Sequence, residues 1–127
     1  MKNLYKDNTE EGMSGNDDCG QMSAWYILSS LGFYPVFPAN GAYVFGSPLF
    51  DKASIKVANN KTFTVEAVNN SADNIYIQKA ELNGKPYDKT YIMYDDIMKG
   101  GTLQFTMGST PNKNYGADQM NRPKSIY

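Results

Sequence analysis

The sequence predicts an α+β fold: a two-layer sandwich in which one long buried helix, about residues 18–31, packs on an antiparallel sheet of five to six strands. Three observations carry that expectation. Positions 19–50 hold no charged side chain, although 20% of the 127-residue chain is charged, so this stretch is expected to be buried. Within it Ala24, Ile27, Leu28 and Leu31 recur at the i, i+3, i+4, i+7 spacing of a helix face. After Pro38 the apolar period shortens to two, the pattern of strands with one covered face.

The helix start is signalled by Asp18 with Gln21 three residues on, an acidic variant of the capping box, and its end by Gly32 followed by Pro35. Met22, Trp25 and Tyr26 occupy much of the remaining circumference, so the helix is expected to be enclosed on most sides. Strand-like runs follow at 43–45, 53–58, 62–68, 74–80 and 102–107. Ile55 and Val57, then Phe63, Val65 and Ala67, then Leu103, Phe105 and Met107 alternate with polar residues. Asn59-Asn60 and Asn83-Gly84 tolerate the positive φ of two-residue hairpin turns. A single helical turn is expected over 95–99, before Gly100-Gly101. The polar segment 111–127, with Gly116 and Pro123 and no sustained period, reads as an irregular tail beyond a structured unit at 1–110.

Composition closes several function classes. A net charge of -1 with interspersed signs offers no electrostatic case for nucleic acid or an anionic membrane surface. No apolar run is long enough to span a bilayer. The absence of histidine removes Ser-His-Asp and Cys-His catalysis and imidazole metal sites from this chain. Cys19, the only cysteine, leaves no internal disulfide or thiolate zinc cluster, and reads as a small buried helix residue. A metal bound here would be a hard cation held by oxygen ligands, such as calcium.

The chemistry candidates gather at the expected helix start. A carboxylate there can be an N-cap, whose replacement typically costs about 1 kcal/mol. Alternatively, the partial positive charge of the helix end keeps it ionised, which suits a general base taking a proton from water. Both readings stand for Asp17 and Asp18, and as sequence neighbours they cannot point the same way. Asn16, Gln21 and Ser23 can hydrogen-bond a sugar hydroxyl or ligate calcium, or serve only as caps and turns. Trp25 and Tyr26 suit either a sugar-stacking platform or the core.

The run Gly15-Asn16-Asp17-Asp18-Cys19-Gly20-Gln21-Met22-Ser23-Ala24-Trp25-Tyr26 closely resembles the signature of glycoside hydrolase family 92, calcium-dependent exo-acting α-mannosidases, many of them α-1,2-specific. Leu31-Gly32-Phe33-Tyr34-Pro35-Val36, Tyr43-Val44-Phe45-Gly46-Ser47-Pro48-Leu49-Phe50, Asn74-Ile75-Tyr76-Ile77-Gln78, Leu82-Asn83-Gly84-Lys85 and Gly100-Gly101-Thr102-Leu103 resemble that family's C-terminal segment, in its order.

The resemblance implies a fragment of an inverting exo-α-mannosidase acting on mannose-containing glycans. Asp18 would be the water-activating base, assisted by Asp17, with Asn16, Gln21, Ser23 and Trp25 as substrate contacts and Asn16 and Asp17 as ligands to Ca2+. Inverting carboxylates stand about 6.5–9.5 Å apart, so neighbours in sequence cannot form the acid and base pair. The acid would come from a helical barrel which, with an N-terminal β-sandwich, lies outside this chain; nothing maps it onto Glu10 or Glu11. The implied compartment of the intact protein is the periplasm or cell exterior. The isolated chain is expected to lack activity and to self-associate through exposed apolar surface. A non-catalytic carbohydrate-binding module and a purely structural accessory domain are the alternative classes.

Overall fold

Residues 17–124 are described by the structure, a computed structural model. A 3-10 turn at Asp18–Gly20 leads into α1 (Gln21–Leu31), then β1 (Phe33–Phe37), a 3-10 turn (Pro38–Asn40) and β2 (Ala42–Phe45). There follow β3 (Lys52–Lys56), β4 (Thr62–Val68), β5 (Tyr76–Leu82), β6 (Lys85–Pro86), β7 (Tyr91–Met93), α2 (Tyr94–Met98) and β8 (Gly101–Gly108), with a last 3-10 turn at Gln119–Asn121. The α+β class is as expected; the arrangement is not. The strands form two sheets, three-stranded β1-β2-β7 and five-stranded β3-β4-β8-β5-β6, instead of one.

The five-stranded sheet is also mixed. β4 and β8 run parallel, with Phe63 opposite Gly101 and Ala67 opposite Phe105, whereas β3–β4, β5–β8 and β5–β6 are antiparallel. A parallel pair requires a long crossover, here the whole stretch from β5 through α2. Alternation within a strand is identical for either direction, so the pattern at 63–67 and 103–107 could not report it.

The core lies where the two sheets meet. Phe63, Leu103 and Phe105 of the larger sheet and Ile92 of the smaller one have no exposed surface. The rings of Phe45 and Phe105 meet edge to face at 5.0 Å, and those of Phe33 and Phe63 at 6.4 Å. Ile97 of α2 joins the same cluster. The face assigned from sequence to a covering helix is therefore covered chiefly by a second sheet.

The helical stretch spans the expected 18–31, its first three residues as the 3-10 turn, but it is more exposed than expected. α1 has 11 residues, of which only Ser30 and Leu31 are buried, and Ile27 is 58% exposed. It docks on β1 through its C-terminal end, where Gly32, at φ 91°, caps it and lies against Pro48. β1 contains Pro35 and went unanticipated. It is an edge strand whose register shifts between Tyr34 and Phe37, where a proline costs no central ladder bond.

The turns behave as their residues require. Asn59 and Asn60, and Asn83 with Gly84, all have positive φ. After β8 the chain is irregular but tied down: Asn112 donates to the Gln78 carbonyl at 2.7 Å, and Tyr115 Oη–H to the Lys89 carbonyl at 2.8 Å. The Asn121 carbonyl accepts from both the amide and the hydroxyl of Thr90.

Candidate functional site

The two carboxylates stand at the entry to α1, and the backbone between them and the helix is unusual. Cys19 (φ 53°) and Gly20 (φ 75°) are successive left-handed residues, a conformation that is strained for a non-glycine residue. The Gly20 amide bonds the Asp17 carbonyl at 3.0 Å, closing a tight turn. Gly20 is the N-cap and has no side chain to offer, so α1 takes its cap from further back. Ser23 donates its backbone N–H to Asp17 Oδ1 at 2.9 Å and its hydroxyl to Oδ2 at 2.6 Å. The capping box expected from Asp18 and Gln21 is thus replaced by Asp17 reaching the third amide of the helix.

The electrostatics follow. The Ser23 hydroxyl and then its amide hold the Asp17 carboxyl below its usual range. Asp18 is exposed, with no side-chain hydrogen bond or ion pair among the described residues. Cys19, expected to be buried in the helix, is instead exposed in the turn before it.

The other sequence-predicted residues divide. Ser23 is brought directly onto Asp17. Gln21 is exposed at the first position of α1. Trp25 is half-buried and lines a cleft of about 450 Å³ between the end of α1 and the β1–β2 hairpin, with Ser29, Tyr34 and Ser47 on its walls. That cleft does not include Asp17, Asp18 or Ser23. Asn16 lies outside the described residues, as do Glu10 and Glu11.

A second cleft, of about 500 Å³, runs between the 47–51 and 70–75 loops and brings Asp51 and Asn70 to one hollow. Sequence reasoning did not single these out. The available signal was the Gly46-Ser47-Pro48-Leu49-Phe50 run, and Ser47 borders both clefts.

Among the described residues no three His, Cys, Asp or Glu side chains are grouped to hold a metal ion, and both Asp17 oxygens accept hydrogen bonds from Ser23. No helix among the described residues is long and apolar enough to cross a membrane.

Comparison with known proteins adds ancestry to this geometry. Residues 1–109 match the family described as "Glycosyl hydrolase family 92 catalytic domain". An "Uncharacterized secreted glycosidase" of Arthroderma benhamiae is 36% identical over 121 residues, covering 93% of this chain and 16% of that protein. The structure of a family GH92 α-mannosidase from Bacteroides thetaiotaomicron superposes with a TM-score of 0.88 at 42% identity, covering 98% of this chain and 17% of that one. The same enzyme has been solved in complex with mannoimidazole. A family GH92 inverting mannosidase from that organism gives a TM-score of 0.85 at 42% identity, covering 96% of this chain and 16% of its own. The chain thus spans about one-sixth of the length of these relatives. With its matched residues running from the first through the carboxylate turn and both sheets, the chain belongs to glycosyl hydrolase family 92.

Proposed function

We propose that this chain forms the general-base side of an inverting exo-α-mannosidase site whose remaining parts lie elsewhere in a longer enzyme, with the α-1,2 linkage common in the family it resembles as the working substrate. One observation carries the reading: of two adjacent carboxylates, Asp17 is held by Ser23 while Asp18 stands exposed without a partner among the described residues. A carboxylate already accepting two hydrogen bonds is a poor proton acceptor, whereas an uncommitted one can take a proton from water. Asp18 is then the base. Asp17 remains ionised beside it, favouring the proton's transfer by its charge and orienting the turn.

The acid that protonates the leaving oxygen belongs across the sugar, about 6.5–9.5 Å from the base, and neither neighbour can supply it. Asn16, Gln21 and Trp25 are the remaining candidates for sugar contact, Trp25 through the apolar wall of its cleft. Calcium enters this reading as an ion bound mainly by residues beyond the chain, with Asn16 and Asp17 as this chain's candidate ligands. When bound it would help position the water and the sugar. The exposed Ile27, Val36, Phe37 and Phe50 form the apolar surface against which the rest of the enzyme packs, and they favour self-association of the isolated chain. The description of the Arthroderma relative as secreted supports action outside the cytoplasm.

The test grafts residues 1–127 in place of the matching segment of the B. thetaiotaomicron α-mannosidase. The chimera is expected to hydrolyse α-1,2-mannobiose, and Asp18→Asn to lower kcat by about 10²–10⁴-fold, the usual contribution of a general base. An Asp18→Asn chimera with undiminished kcat sinks the assignment. Calcium-dependent turnover by the isolated chain overturns the claim of incompleteness. Mannoside binding by a graft that never turns over points instead to a non-catalytic carbohydrate-binding module.

A further inference from the structure

An ordinary helix cap uses one side-chain oxygen to satisfy one backbone amide. The entry to α1 does more. Asp17 Oδ1 accepts the Ser23 amide at 2.9 Å, and Oδ2 accepts the Ser23 hydroxyl at 2.6 Å, so one residue grips both carboxylate oxygens. Between these anchors the chain passes through left-handed Cys19 and Gly20, braced by the Gly20 N–H to the Asp17 carbonyl and the Gln21 N–H to the Asp18 carbonyl. A strained turn with little burial persists only if its ends are held. The Asp17–Ser23 grip closes the loop from outside, and Asp18 sits within it.

We propose that Ser23 is a positioning residue: by holding both oxygens of Asp17 it closes the 17–23 loop and sets the direction in which the Asp18 carboxylate is presented. The assignment rests on the reading of Asp18 as base. It gives the Ser23 hydroxyl a role within the protein in place of a contact to sugar. The cap and the grip are separable by substitution. Ser23→Ala keeps the backbone N–H bond and so keeps the cap, but loses the hydroxyl bond. Ser23→Thr keeps both.

Two measurements test this. In the full 127-residue chain, Ser23→Ala is expected to speed amide exchange at Gly20 and Gln21 by about tenfold, the consequence of losing a hydrogen bond to a charged group. Exchange at Leu103 and Phe105 should not change, and Ser23→Thr should return the loop to parent values. In the chimera, Ser23→Ala is expected to lower kcat by about tenfold or more through misplacement of the base, with KM near the parent value and kcat recovered in Ser23→Thr. Unchanged loop exchange in Ser23→Ala overturns the grip. A raised KM at unchanged kcat overturns the positioning role and returns Ser23 to the sugar. An Asp18→Asn chimera that keeps its kcat refutes the base reading alone, because loop exchange judges the grip without reference to turnover.

Discussion

Replacing Phe45 and Phe105 by alanine, singly and together, tests whether the two sheets share one core. Phe105 lies on the central strand of the larger sheet with no exposed surface, and its ring meets Phe45 of the smaller sheet at 5.0 Å and 75°. Truncating a fully buried phenylalanine costs about 3–5 kcal/mol, a large share of the roughly 5–15 kcal/mol that holds a domain folded. Phe45 is only half-buried, so its truncation should fall within the ordinary range of about 0.5–3 kcal/mol. The edge-to-face pair adds about 0.5–1.5 kcal/mol beyond area burial, and this is the coupling expected from the double-mutant cycle. Urea unfolding reads each value. With a slope of about 2 kcal/mol/M, Phe105→Ala should lower the midpoint by about 2 M. A Phe105→Ala cost below about 1 kcal/mol, together with no measurable coupling, would refute a core formed between the sheets.

Two further predictions concern the packing of the segment after β8 on the loop between β6 and β7. Gly116 is buried at φ 69°, and a Cβ there would run into Thr90 Cγ2, so Gly116→Ala should destabilise by about 2–4 kcal/mol, with Thr90→Ser giving partial relief in a thermal melt of the double variant. Burial, reinforced by Asp96 and Tyr91, pushes the Tyr87 phenol up to about 12, and burial with Tyr87 and Asp88 nearby also raises Tyr115. The folded chain therefore holds these protons more tightly than the unfolded one, whose phenols titrate near 10.0. Their stabilising contribution should be complete below pH 10 and fall as pH rises from 10 towards 12. Absorbance at the phenolate band should show two late-titrating tyrosines that disappear in Tyr87→Phe and Tyr115→Phe; normal titration of both would refute the burial argument.

The candidate site was partly legible because its chemistry is local. Adjacent aspartates ahead of an uncharged helical stretch place two carboxylates at the helix entry wherever the chain folds, and there Asp17 accepts two hydrogen bonds from Ser23. Which aspartate caps the helix was not legible. That depends on left-handed Cys19 and Gly20, and the first of these is a conformation that a cysteine seldom adopts. The clefts beside Trp25 and Asp51 join segments far apart in sequence, so no local spacing reports them.

The sequence by itself determined the α+β class, the hairpin turns at Asn59-Asn60 and Asn83-Gly84, the Gly32 helix stop and the buried faces of β4 and β8, since each follows from backbone preference or apolar period over a few residues. Tertiary structure decided the division into two sheets, the parallel β4–β8 pair, the exposure of α1 and the pairing of Asp17 with Ser23. Periodicity records that a face is covered. What covers it, and from which direction a neighbouring strand arrives, is settled only when distant segments compete for that face.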